Sequence, residues 1–409
     1  MNIKKEFIKN TSYVTVAKLF ENIFAYLIII MITRYLGAEG LGQYSFIFSF
    51  VGLFFIFSDF GLTPMMTKDL AKDFSDINKY ASNVLTLKLI LTLASLLIYC
   101  GSLLFIGKEN LFLALILAGF IEVSNKIFSF SKSILRVQHN GKVIALVNVG
   151  ERLIALIGAF IVLPITGDLF WFVFVLFISY MVKSVVSYLS VKDYFDFSFT
   201  LNWKFLLDLL KKGYPFMFIG IFAIIYVRMD TVMLSFLKND EVVGWYNAGY
   251  KLINVFNMFP ALLLTFGFPL FSQYFAEDNK KALKNLFKKL IQISLIVIIP
   301  IAIIVFIFGQ RIINLIYGIN TIEAANAFNI LIVADIFIYL TMIMGRLISA
   351  ADKQKLFMKI AGVGAIINIV LNFILIPEYS LNGAGVATLI TYVIMFLLMF
   401  IYIRDHLID

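Results

Sequence analysis

The chain has 409 residues, 61% of them hydrophobic and 14% charged, with a formal net charge of +9. A soluble domain carries roughly 25% charged residues, and no soluble fold hides this much apolar surface, so lipid is the solvent for most of the chain. The lone Cys100 excludes an internal disulfide or a cysteine metal cluster, and no metal or cofactor is predicted.

Apolar runs of about twenty residues, enough to cross a hydrocarbon core of about 30 Å, fall near 12–33, 43–63, 81–106, 111–133, 143–164 and 169–190. A second set falls near 214–236, 245–271, 290–308, 327–348, 354–376 and 384–403. The first run is too long for a signal-peptide core, contains Lys18 and Glu21, and lacks a small-residue cleavage site after it. It is therefore read as a retained helix.

With both termini on the inner side, the inner connections hold 23 Lys and Arg, and the outer ones hold four: Arg34, Lys108, Lys238 and Arg311. That asymmetry predicts cytoplasmic termini. It also sets most of the positive charge against anionic lipid, which removes the main support for nucleic acid as a partner. Arg34 is expected to anchor the outer end of the first run. The outer connections are too short for an extracytoplasmic catalytic domain.

Segments 201–213 and 277–290 read as amphipathic helices lying on the inner membrane surface. In the second, Leu283, Leu286, Phe287 and Leu290 form a stripe opposite Lys280, Lys281, Lys284 and Lys288. The first falls midway, so the expected domains are an N-terminal lobe, 1–200, and a C-terminal lobe, 201–409, that begins with this linker. Internal similarity supports duplication: LGAEGLGQY (36–44) parallels LKNDEVVGWY (237–246), and FGLTP (60–64) parallels FGFP (266–269). The expected fold class is an all-α integral membrane protein of about twelve transmembrane helices in two six-helix lobes.

Thirteen ionisable residues are read as membrane-embedded. The bases are Lys18, Lys88, Lys126, Arg152, Lys183, Arg228 and Lys251, and the acids are Glu21, Asp59, Glu122, Glu151, Asp230 and Asp335. Such groups are costly against lipid and usually face a partner or a watery cavity. Steps of three and four residues gather them into polar stripes. The third run carries Lys88, Thr92, Ser95 and Tyr99, and the fourth carries Glu122, Lys126, Ser129, Ser133 and Arg136. Comparable stripes are Thr11, Thr15, Lys18 and Asn22; Asn148 and Arg152; Asn247, Lys251 and Asn254; and Asp335, Tyr339 and Arg346.

At about 1.5 Å per residue, Arg152 lies roughly 14 Å into the hydrocarbon and is the most central base. Lys183 lies near enough to a membrane edge to escape and reads as structural. Arg152, Lys18, Lys88, Lys126, Arg228 and Lys251 are the candidate binding residues for an anionic group, since Arg and Lys in a low-dielectric cavity hold such a charge. Ordinary pairing, Lys126 with Glu122, or Arg228 with Asp230 or a neighbouring helix, is the alternative for two of them. Glu21, Asp59 and Asp335 are candidates for ion coupling, although Asp59 can equally brace a loop.

The segments RYLGAEGLGQY (34–44), SDFGL (58–62), LIYGINTIEAANAFNIL (315–331) and NFILIPEYSLNGAGVATLI (372–390) resemble the Wzx-type polysaccharide flippases. These belong to the polysaccharide transport family of the MOP superfamily, with multidrug MATE transporters and lipid II flippases as relatives. The resemblance implies a V-shaped, MATE-like pair of lobes around a central cavity. It also implies alternating access that carries a polyprenyl-(di)phosphate-linked oligosaccharide from the cytoplasmic to the outer leaflet of the cell membrane, for surface polysaccharide or glycan synthesis. The implied partners are this lipid-linked oligosaccharide, membrane lipids and polysaccharide assembly proteins, and the chain is expected to be a monomer and not an enzyme.

The sequence departs from the lipid II branch in having no helices beyond twelve, and from the multidrug branch in lacking a clearly matched cation site. A cation-coupled multidrug exporter is the main alternative, against which the many intramembrane bases weigh. An enzyme would need paired acids in a large outer loop or a membrane-facing histidine, and His139 and His406 fall in inner segments.

Overall fold

The computed structural model describes residues 3–71, 73–75 and 77–408. Among the described residues the main regular elements are helices, in chain order α1 (Ile3–Phe55), α2 (Leu62–Leu70), α3 (Ile77–Leu103), α4 (Phe112–Val137), α5 (Gly141–Thr166) and α6 (Leu169–Leu189). Then follow α7 (Trp203–Leu237), α8 (Asp240–Phe256), α9 (Met258–Ala276), α10 (Lys280–Tyr317), α11 (Ile322–Ala350) and α12 (Gln354–Ile403).

Among the described residues ten helical spans are long and apolar enough to cross a membrane. Two of these contain a break. Gly37 interrupts α1 with φ +69° and ψ −168°, and Ser380 interrupts α12 with φ +53° and ψ −133°. At 47 and 54 residues, each of these spans supplies two crossings of about twenty residues, so twelve crossing segments result, as the apolar runs predict. Asn140, Asp168, Asn239, Asn279 and Thr321 cap the starts of α5, α6, α8, α10 and α11 by accepting a backbone N–H of the first turn. Gly167 and Gly318 close α5 and α10 in the left-handed conformation.

Three features differ from the sequence expectation. The amphipathic segments are not separate surface helices: each is the opening of a long helix, α7 or α10. Their apolar faces are buried in protein, with Leu206 and Leu209 in one core and Leu283, Phe287 and Leu290 in another. The run 245–271 is broken between α8 and α9 at Asn257. The cause is Pro260, which has no N–H to offer the carbonyl of Phe256 four residues earlier. That carbonyl accepts the Tyr339 hydroxyl of α11 instead, at 2.6 Å, as a buried backbone acceptor requires.

The helices form two compact units, residues 1–36 with 50–217, and residues 37–49 with 218–409. In the first, α3 presents its polar stripe inward, with Lys88, Thr92, Ser95 and Tyr99 all buried. The Tyr99 hydroxyl donates to the Leu115 carbonyl at 2.7 Å. In the second, α11 is the most enclosed helix, and Leu331, Ile332, Ile343, Met344, Leu347 and Ile348 have essentially no exposed surface.

The similar motifs 36–44 and 237–246 pack against each other in the second unit. A Cβ on Gly42 would stand 1.7 Å from the Asp240 carbonyl oxygen, and one on Gly244 1.8 Å from that of Ala38. Each glycine thus meets the carbonyl four residues before the other, a reciprocal contact that only two bare backbones can make. Alanine at either position is expected to cost about 1–3 kcal/mol through overpacking, read as a lower midpoint of thermal unfolding in detergent. Gly101→Ala, in a helix with nothing within 4 Å of the added Cβ, should leave the midpoint unchanged or raise it.

Candidate functional site

Membrane-embedded charge in the first unit collects on α1, α4, α5 and α6. On α5, Glu151 is buried, and its Oε2 lies 3.3 Å from Lys183 Nζ and 3.6 Å from Arg152 Nε. Arg152 Nη2 is also 3.5 Å from the Tyr180 hydroxyl, and its side chain keeps 26% exposure. Lys183 therefore does not escape to the membrane edge. It is buried, and its ammonium stands 4.3 Å from the centroid of Phe128.

Lys132 Nζ stands 5.5 Å from the centroid of the same Phe128 ring and lies within electrostatic range of Arg136, Glu21, Lys183 and Lys18. Lys18 and Glu21 themselves pair at 3.2 Å, and Lys18 is 65% exposed. Four cations, Lys18, Lys132, Arg152 and Lys183, thus share two carboxylates, Glu21 and Glu151. A cluster with this imbalance, on helices flanked by lipid, attracts a multivalent anion, and the guanidinium can grip a phosphate with two parallel hydrogen bonds. Lys132 was missed by the sequence reading because it falls at the very end of the apolar run 111–133, where it counts with the inner connection that follows. Its i+4 spacing from Phe128 is the only signal.

Lys88 behaves differently. Its ammonium donates to Asp59 Oδ1 at 2.6 Å, Thr63 Oγ1 at 2.7 Å and Ser129 Oγ at 2.9 Å, which engages all three of its hydrogens. Asp59 also accepts the Thr63 hydroxyl. This group ties α3 and α4 to the turn before α2. Lys88→Met should leave Asp59 without its counter-ion and cost about 3 kcal/mol, and adding Asp59→Asn should restore part of the loss. Thermal unfolding of the two variants in detergent measures both effects. Lys126 makes a looser pair with Glu122, at 3.8 Å along one helix face.

In the second unit, Arg228 Nη1 donates to the Phe48 carbonyl and not to Asp230. Lys251 is half-buried on α8, one turn beyond Asn247. Asp230 is buried and accepts three hydrogen bonds from neutral donors: Asn372 Nδ2 at 2.6 Å, Thr388 Oγ1 at 2.6 Å and the Tyr246 hydroxyl at 2.7 Å. It links α7 to α8 and to both halves of α12.

Asp335 lies on α11, fully buried, and neither carboxyl oxygen has a hydrogen-bond partner. Asn257, at the break between α8 and α9, stands close enough to act on it, and Asn257 Oδ1 is itself buried without a donor. Beside the break is a cavity of about 280 Å³ whose polar lining includes Tyr226, Tyr250, Tyr392, Asn254, Asn257 and Thr341. Of the sequence-predicted residues, the structure brings Lys18, Glu21 and Arg152 into one neighbourhood and Lys88 with Asp59 into another, while Arg228, Lys251 and Asp335 lie in the second unit.

The chain is a multi-pass α-helical membrane protein with the fold of a transporter. It superimposes on a lipid II flippase captured in an inward closed conformation with a TM-score of 0.78, at 17% identity, covering 96% of this chain and 87% of the other. A multidrug resistance MATE family transporter of the MOP superfamily gives 0.76 at 14% identity, covering 94% and 95%. Residues 7–275 match the family described as polysaccharide biosynthesis protein, and the chain belongs to that family. Residues 215–374 also match the MatE family.

A probable low-salt glycan biosynthesis flippase of Haloferax volcanii is 22% identical over 386 residues, 93% of this chain and 79% of that protein. An uncharacterized membrane protein of Methanocaldococcus jannaschii is 27% identical over 176 residues, 43% of this chain. The match spans only 35% of that relative's length.

Proposed function

We propose that the protein is a flippase that carries a polyprenyl-(di)phosphate-linked oligosaccharide from the cytoplasmic to the outer leaflet of the cell membrane by alternating access between an N-terminal and a C-terminal lobe. The observation that carries this reading is the cluster of four cations against two carboxylates on the membrane helices of the first unit. A lipid diphosphate must leave water to cross, and Arg152, Lys183, Lys132 and Lys18 offer it a counter-charge there. Sugar hydroxyls exchange hydrogen bonds with Ser, Thr, Asn and Tyr of the polar stripes, and no covalent step is involved. Lys126, Arg228 and Lys251 remain candidates for contacts along the path, while Lys88 acts as a brace.

Family membership and the flippase relatives support the same class of cargo. A cationic interior disfavours the cationic drugs of a multidrug exporter. The basic asymmetry of the connections supports cytoplasmic termini.

We assign ion coupling to Asp335. Glu21 and Asp59, each already paired with a lysine, are the weaker candidates. The test is the purified protein in liposomes with a fluorescent lipid-linked oligosaccharide. Protein-dependent transfer between leaflets, read as a change in accessibility to an added glycan-modifying enzyme, is expected, and no transfer would overturn the reading. In the same vesicles an imposed pH gradient should accelerate transfer, and Asp335→Asn should remove that acceleration.

A further inference from the structure

The cavity of about 280 Å³ inside the second unit carries three tyrosines, Tyr226, Tyr250 and Tyr392. They are 9%, 9% and 8% exposed, and none of their hydroxyls has a hydrogen-bond partner among the described residues. Phenylalanine would fill the same space without orphaning three buried polar groups, each of which carries a desolvation cost. Tyrosine here is therefore a feature of what the cavity holds and not of how the unit packs.

The rings are held in place before anything enters. Tyr250 stacks on Tyr246 at 5.8 Å, and the Tyr246 hydroxyl donates to Asp230 at 2.7 Å. Tyr392 meets Tyr226 edge-on at 5.7 Å and stands one helical turn beyond Thr388, which also donates to Asp230. Asn254 and Val227 are exposed at the rim, so the cavity is open on that side. Among the described residues no charged side chain lines it. Asp335 lies near, but its carboxyl oxygens have no accessible surface.

We propose that this cavity binds one sugar ring of the transported lipid-linked oligosaccharide, an assignment that rests on the flippase reading. The sugar hydroxyls exchange hydrogen bonds with the tyrosine hydroxyls and the Asn254 carboxamide, each of which can donate and accept. The C–H face of the ring lies against the aromatic rings. A lining without charge selects a neutral ring over a phosphate or a cationic drug. Small-molecule pockets run from roughly 300 to 1,000 Å³, so this one has room for a single ring and not for a whole oligosaccharide.

Native mass spectrometry of the full chain in detergent tests it. The probes are the lipid-linked oligosaccharide extracted from cells that make the protein, the same lipid after its glycan is cleaved off, and tetraphenylphosphonium. Each neutral hydrogen bond is worth roughly fivefold in affinity. Tyr250→Phe/Tyr392→Phe removes two hydroxyls and no ring. It should bind the glycosylated lipid at least tenfold more weakly and the stripped lipid within twofold of the unsubstituted protein. Its thermal midpoint should hold or rise, because two unpartnered buried groups are gone. Asn254→Ala, an exposed change that leaves the core intact, should lose about fivefold for the glycosylated lipid alone. Tyr379→Phe, at a residue 54% exposed and outside the cavity, should change neither affinity. If the cavity variants bind the glycosylated lipid as the unsubstituted protein does, or lose both lipids equally, the proposal is overturned while the flippase reading stands. Failure of the unsubstituted protein to bind the glycosylated lipid, or tighter binding of tetraphenylphosphonium that the double variant loses, would overturn both.

Discussion

Arg152→Ala is expected to abolish complementation in a strain lacking its own polysaccharide flippase, while the protein remains folded and in the membrane at normal amounts. The substitution leaves the Glu151–Lys183 pair at 3.3 Å in place, so the buried carboxylate is not stranded and the unit should not unfold. What is lost is the partly exposed guanidinium. Hydrogen bonds to charged groups contribute about 1.5–3 kcal/mol, which sets the loss of transport in liposomes at roughly ten- to a hundredfold. Arg152→Lys should recover part of it, since a lysine keeps the charge without the two-pronged grip. Full activity of the alanine variant would remove Arg152 from the path and move attention to Lys132 and Lys183.

The second large effect is on the fold. Asp230→Ala deprives the Tyr246 hydroxyl, the Asn372 amide and the Thr388 hydroxyl of a common acceptor at once. A buried donor left unsatisfied costs about 1–3 kcal/mol, so the loss should be several times that of an ordinary surface substitution and should drop the thermal midpoint sharply or abolish purification. Asp230→Asn separates geometry from charge. One amide oxygen still accepts, the amide nitrogen donates, and a hydroxyl can rotate to receive it, so this variant should fold. If it unfolds as readily as the alanine variant, the negative charge itself is what holds α7, α8 and α12 together.

Much of the architecture was legible because lipid imposes simple demands on sequence. Twelve apolar runs correspond to twelve crossing segments, since length and hydropathy alone decide whether a helix can span. The stripe Lys88, Thr92, Ser95 and Tyr99 faces inward as its spacing indicates, and the expected local pair Lys126–Glu122 forms because residues four apart on a helix meet regardless of tertiary context. Features that depend on distant chain were not legible. Two of the three partners of Asp230, Asn372 and Thr388, come from residues 142 and 158 positions later, and nothing in the local sequence names them.

The amphipathic openings of α7 and α10 carry the same periodicity whether the apolar face meets lipid headgroups or protein, so the sequence could not say which. Lys183 looked able to snorkel, but the aromatic face of Phe128 and the Glu151 carboxylate hold it inside. The break at Asn257 had its signal in Pro260, masked by the unbroken apolar run around it.

That break also has a kinetic consequence. Because Pro260 can never supply the missing N–H, the Phe256 carbonyl depends on a hydroxyl from another helix for as long as it is away from water. Any rearrangement that draws α11 away from α8 and α9 must pass through a moment when this acceptor is bare, at a cost of about 1–3 kcal/mol. On an activation barrier that slows the step by roughly ten- to a hundredfold. The bond between Tyr339 and Phe256 therefore acts as a timing element, and a phenylalanine at position 339 would change how fast the second unit rearranges more than which states it can reach.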